Sequence, residues 1–155
     1  MLPIPAPVLR LLFPLRRAYW HLRRPRTFGV KALLAHPDGG GRLLVVRHSY
    51  GDRARWGLPG GGYRPARETA AEAVAREVRE ELGLVIAPGA FAELDTVLVD
   101  GGGKRDTLTL FAARAVDAGV RRSPELAEAR WVADVGELGA ARVSRWLRLA
   151  LERRG

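Results

Sequence analysis

Cysteine is absent from this chain, which excludes a disulfide scaffold and a thiolate zinc site. Histidine is scarce, and its three residues, His21, His36 and His48, have no zinc-ligand spacing. No apolar run approaches the roughly 20 residues that a membrane-spanning helix requires. Aromatic residues make up 7% of the chain, so platforms on which a base could stack are few. Acids are outnumbered, 17 against 26 Lys and Arg, and the net charge of +9 should attract anions such as nucleotides, RNA or acidic lipid. Arg-rich, Ala-rich, Lys-poor usage is also what a GC-rich genome produces, which weakens charge as a functional argument. Internal repeats and low-complexity tracts are missing as well.

What remains is ample for one domain: 155 residues, 47% of them hydrophobic, are enough to enclose a core. Without cysteine, a reducing cytoplasm is the expected compartment. Residues 6–24 place Val8, Leu11, Leu12, Leu15, Ala18, Tyr19 and Leu22 at helical spacing among Arg10, Arg16, Arg17, His21, Arg23 and Arg24. Pro14 kinks this helix or starts a second one. A secretory signal is not expected, because Arg10 interrupts the apolar stretch and no clean cleavage site follows. The stripe needs cover, from the domain, from a second copy of the chain in a homodimer, or from an anionic membrane surface that would make the protein peripheral. Residues 1–25 are therefore read as a basic amphipathic extension and 26–155 as the domain.

Pro25 ends the helical pattern. Beyond it, FGVKALLA and RLLVVRH, separated by Pro37-Asp38-Gly39-Gly40-Gly41, read as a hairpin. Residues 49–56 form a polar loop; around it Arg47 and His48 suit phosphate contacts, and Trp56 offers a face for stacking, although core packing is its commoner role. LVIAPGAFAELDTVLVD reads as strand, turn and strand, closed by Gly101-Gly102-Gly103 and followed by the strand TLTLFAARAV. A short strand over ELAEARWV carries Glu125 and Glu128, and residues 141–154 form a final amphipathic helix.

The organising stretch is 62–84, GYRPARETAAEAVAREVREELGL. At roughly 100° per residue, Ala70, Val74, Val78 and Leu82 form an apolar stripe, and Gly83 is a stop signal. Glu77, Glu80 and Glu81 fall together along one edge of that stripe, while Glu72 and Arg79 face solvent. Carboxylates so close repel one another, and a hard divalent cation relieves the repulsion. Arg76, one turn before Glu80, is placed to orient them. A helix decorated with surface salt bridges is the usual explanation of such a charge run.

The spacing argues otherwise. Gly62, five residues, Glu68, seven residues, then Arg76-Glu77-Val78-Arg79-Glu80-Glu81-Leu82-Gly83-Leu84 resembles the signature box of the Nudix hydrolases, and Trp56-Gly57-Leu58-Pro59-Gly60-Gly61 resembles the loop that leads into it. The resemblance implies an α/β fold: a Nudix-type α/β/α sandwich with a mixed β-sheet and a loop-helix-loop, here with an extra N-terminal helix. It implies hydrolysis of a pyrophosphate linkage in a nucleoside diphosphate joined to another group, with Mg²⁺ or Mn²⁺. By position, Glu77, Glu80 and Glu81 would be metal ligands, with a carbonyl of Gly61 or Gly62 completing the sphere. Glu68 and Arg76 would orient them, and either a box glutamate or a later acid, for which Glu125 and Glu128 are the candidates, would accept a proton. Arg67 stands where a glycine commonly precedes the first box glutamate, and the loop from Pro59 to Glu68 is one residue longer than the common form. The substrate is not legible. Small nucleotides, nucleotide sugars and 5′-triphosphorylated RNA all fit, and a non-catalytic nucleotide- or RNA-binding module is the alternative to an enzyme.

Overall fold

The computed structural model describes residues 26–101, 104–139 and 142–155. The expected N-terminal helix lies outside them. Six strands, β1 (Arg26–Ala35), β2 (Leu43–His48), β3 (Gly62–Tyr63), β4 (Ala92–Gly101), β5 (Lys104–Arg114) and β6 (Leu126–Val132), are joined by helices α1 (Ala70–Leu82) and α2 (Arg145–Arg154). The sheet runs β4-β5-β1-β2-β6, with β3 paired to β1. It is mixed, because β1 and β5 are parallel while the other pairs are antiparallel.

Alternation along β1 and β2 sorts the core into two layers. Val30, Ala32, Leu34, Leu44 and Val46 meet Val74, Val78 and Leu82 of α1. Leu33, Leu43 and Val45 meet Leu147 and Ala150 of α2 on the other face. Each fully buried leucine here contributes about 1.5–3 kcal/mol. The helical stripe read from the sequence is thus the buried face, and Gly83 ends α1 in the left-handed conformation, at φ 69°. Thr69 and Glu72 close its other end as a reciprocal capping box.

Three expectations need correction. β1 and β2 do meet in a hairpin, but their register is confined to Ala35 and Leu43. Beyond that point the strands part, and residues 57–61 enter the fork: Val30 and Ala32 donate to Gly61 O and Pro59 O at 2.9 and 3.0 Å, while Val46 and Gly57 exchange both bonds. Residues 84–87 form no strand. Leu84 and Ile86 are buried and Val85 is exposed, so the alternation is real, yet no ladder partner is present among the described residues. The last helix starts at Arg145 rather than 141, because the Ser144 hydroxyl accepts the Leu147 N–H as its cap.

Candidate active site

The fork between β1 and β2 brings the glycine loop against α1. Gly60 adopts φ +135°, and a Cβ there would stand 2.1 Å from Val30 O, so only glycine fits. Its N–H donates to Glu81 Oε2 at 2.8 Å. Glu77 packs onto the next residue so closely that a Cβ on Gly61 would lie 2.6 Å from its carboxylate. Gly60 thus lets the loop lie against β1, and Gly61 lets the Glu77 carboxylate reach the loop.

Arg76 organises the rest. Its Nη2 and Nε take the two oxygens of Glu68 at 2.8 and 3.1 Å, and Nη1 reaches Glu77 at 2.8 Å and Glu80 at 3.3 Å. Such a fork matches carboxylate geometry and is stronger than a point contact. The Glu68 bonds hold the guanidinium above its ordinary pKa, with Glu77 adding to them against the cost of burial.

The three expected ligands differ in environment. Glu81 is 2% exposed. Burial pushes its carboxyl up to about 7, against the Lys31 charge and the Gly60 N–H, and the Glu77 and Glu125 charges push the same way as burial. Glu77 is raised too, chiefly by burial and in opposition to Arg76. Glu80 is exposed on the helix surface. Among the described residues no three His, Cys, Asp or Glu side chains converge within metal-binding reach. Arg76 Nη1 engages one oxygen each of Glu77 and Glu80, and Glu81 is turned onto Gly60. The donor chemistry still fits a hard divalent cation: three carboxylates on one helix edge, two of them desolvated, beside a loop that glycine leaves open. Gly61, expected as a carbonyl ligand, gives one lone pair to Val30 N–H.

Lys31, which the sequence reading overlooked, enters the same place. Its Nζ donates to Leu58 O at 3.1 Å and Gly60 O at 3.2 Å. Burial lowers its pKa, opposed by Glu81 and Glu77. The only available signal was a lone charge inside the apolar run FGVKALLA. His48 lies nearby, with Nδ1 at 4.0 Å from Glu81 Oε1 and with no hydrogen-bond partner for that buried atom among the described residues. Burial pushes its pKa down to about 3, helped by the Lys31 charge, so the ring is neutral at pH 7.

Arg47, Trp56 and Glu128 gather elsewhere. Trp56 is 6% exposed and packed in the α2-side core. The guanidinium carbons of Arg47 and Arg130 stand 5.0 and 4.9 Å from its ring centroid. Arg47 also donates to Glu128 at 2.6 Å. Burial therefore removes Trp56 as a stacking platform, and the ion pair occupies both Arg47 and Glu128. Glu125, by contrast, is half-buried, acts electrostatically on Glu77 and Glu81, and is tethered through its carbonyl to Ser49 N–H at 2.8 Å.

A mixed sheet between two helices, with a box of glutamates facing a glycine loop, defines a class that comparison identifies. The NUDIX domain family matches residues 25–148, most of the chain, and the protein belongs to that family. A MutT protein from Methanosarcina mazei Go1 is 30% identical with TM-score 0.68, the match covering 84% of this chain and 94% of that one. A MutT NUDIX hydrolase from Burkholderia pseudomallei is 25% identical with TM-score 0.70, covering 84% and 98%. The NUDIX domain of Shewanella oneidensis NrtR, solved with ADP ribose, shares the fold at 19% identity and TM-score 0.67, covering 83% and 86%. No curated protein matches the chain.

Proposed function

We propose that the protein is a divalent-metal-dependent hydrolase that cleaves a pyrophosphate bond in a nucleoside diphosphate linked to another group. The observation that carries this reading is the arrangement around Arg76: one guanidinium fixes Glu68, Glu77 and Glu80 while the adjacent Glu81 is sunk against the glycine loop. Surface salt bridges would not need a buried, unneutralised carboxylate at that position.

Glu77, Glu80 and Glu81 would hold Mg²⁺ or Mn²⁺. Bound there, the metal supplies charge neutralisation on the phosphates and a more acidic water. The chain's own residues do the remainder. Gly60 N–H keeps Glu81 in place, and Arg76 sets the other carboxylates by its fork. Glu125, rather than Glu128, is the acid placed to accept a proton, because Glu128 is held by Arg47. His48, neutral and buried beside Glu81, leaves a lone pair for a donor on the substrate or its water.

Nucleotide chemistry is supported by two relatives of the same fold, the NrtR domain with ADP ribose and a bifunctional Francisella tularensis enzyme crystallised with AMP and a Mn ion. The basic balance of the chain favours polyanionic substrates, RNA 5′-ends among them. The test is incubation with a nucleotide panel and a 5′-triphosphorylated RNA plus Mg²⁺, with products resolved by chromatography. Hydrolysis that chelator abolishes and added Mg²⁺ restores is the expected result. Full turnover in excess chelator would overturn the mechanism, and nucleotide binding without hydrolysis would make the domain a binding module.

A further inference from the structure

The loop from Leu58 to Gly61 has all four carbonyls bonded, and they divide by parity. Those of Pro59 and Gly61 accept the N–H groups of Ala32 and Val30. Those of Leu58 and Gly60 both accept from one ammonium, that of Lys31. This matters at Gly60, whose conformation is open to glycine alone and whose backbone has no side chain to lock it. Pro59 offers no N–H, so the Gly60 N–H is the next backbone donor in the loop, and Glu81 Oε2 takes it at 2.8 Å. Lys31 sits on the strand that pairs with this loop, and its charge also opposes the effect of burial on Glu81.

Resting on the hydrolase reading above, we propose that Lys31 is a positioning residue: by clamping the carbonyls of Leu58 and Gly60 it aims the Gly60 N–H at Glu81 and so keeps this carboxylate in register. A lysine suits the task because a compact ammonium can donate in several directions from one point. An apolar residue of similar length would fill the space but release both carbonyls, and small misplacements of a reacting constellation are costly.

The experiment uses full-length protein, wild type against Lys31→Met and Lys31→Arg. In metal-free protein, amide exchange by NMR should show Gly60 losing protection about tenfold or more in Lys31→Met, while Val78 in α1 is unchanged. With whichever nucleotide the panel identifies, kcat should fall about tenfold or more with KM within about threefold, and Lys31→Arg should recover most of both effects. Unchanged Gly60 exchange, or unchanged kcat, in Lys31→Met overturns the proposal. A rise in KM alone also overturns it, because that marks a substrate contact. Should Lys31→Met not fold, Lys31→Leu, which also removes every donor, is read by the same measurements and the same criteria. Failure of the wild type to hydrolyse anything would sink the hydrolase reading while leaving the exchange measurement to decide the clamp.

Discussion

Among the described residues two arginines hold glutamates, and they do different things. Arg76 binds Glu68, Glu77 and Glu80, all within eight residues of it, at the edge of a helix whose neighbouring carboxylate is buried. Arg47 binds Glu128 across the β2–β6 pair and lies over the ring of Trp56. The first arrangement leaves carboxylates crowded, two of them desolvated, and facing a loop. The second pairs one guanidinium with one carboxylate and braces a core tryptophan, leaving the Arg47 Nε without a partner among the described residues. The same residue types therefore build the proposed site in one region and a brace in the other, and the distinction lies in whether carboxylates outnumber the guanidinium that pairs with them.

Changes on each side sharpen that contrast. The largest effect is expected at the buried carboxylate: Glu81→Gln should lower kcat by about a thousandfold or more with the fold intact, and Glu80→Gln should also lose orders of magnitude, measured by steady-state kinetics alongside circular dichroism. Next come the two late acids. Glu125→Gln should cost about a hundredfold in kcat, while Glu128→Gln should leave kcat within about twofold. Equal losses would erase the distinction between site and brace.

The arginines themselves follow. Arg76→Lys loses the fork, and a drop of about tenfold in kcat/KM is expected, because a point charge cannot set Glu68, Glu77 and Glu80 at once. Arg47→Lys should instead lower Tm by a few degrees and spare turnover.

The smallest effect concerns stability without metal. Glu81 has a folded pKa of about 7, raised by burial from an ordinary 4.5, so in chelator its contribution to stability falls as pH rises from about 4.5 to 7. Thermal melts should show Glu81→Gln gaining a few degrees on wild type at pH 8 and little or nothing at pH 4. Glu72 carries the opposite sign: its bonds to the Thr69 backbone and side chain lower its pKa, so its contribution is present at neutral pH and disappears in acid. A Glu81→Gln advantage that did not vary with pH would mean that charge burial is not its cause.

The sequence made one half of this contrast legible. Arg76 and the glutamates lie at helical spacing with recognisable start and stop signals, so local periodicity was enough to place Glu77, Glu80 and Glu81 beside one another. The individual burials were not readable, because how deeply Glu81 sinks depends on a loop brought in from 21 residues away. Lys31 escaped notice for the same reason: its partners, Leu58 and Gly60, belong to a different segment. Trp56 and Arg47 looked like possible ligand contacts and Glu128 like a possible proton acceptor, because spacing says nothing about a pair 81 residues apart. Residues 84–87 alternate like a strand, and alternation reports burial on one side, not the presence of a partner.

The glycine loop in the fork of β1 and β2 also marks where the protein can be rebuilt. An added residue between Gly57 and Gly61 would shift the loop against two strands at once and carry Gly60 away from Glu81. The neighbouring turn at 51–55 is exposed except for local bonds such as Asp52 with Ala54 and Arg55. It opens directly onto the same fork through Trp56 and Gly57. For an engineer, the two adjoining segments are a fixed socket and a tolerant collar: inserts and randomised libraries belong in the collar, and the socket should be left at its present length.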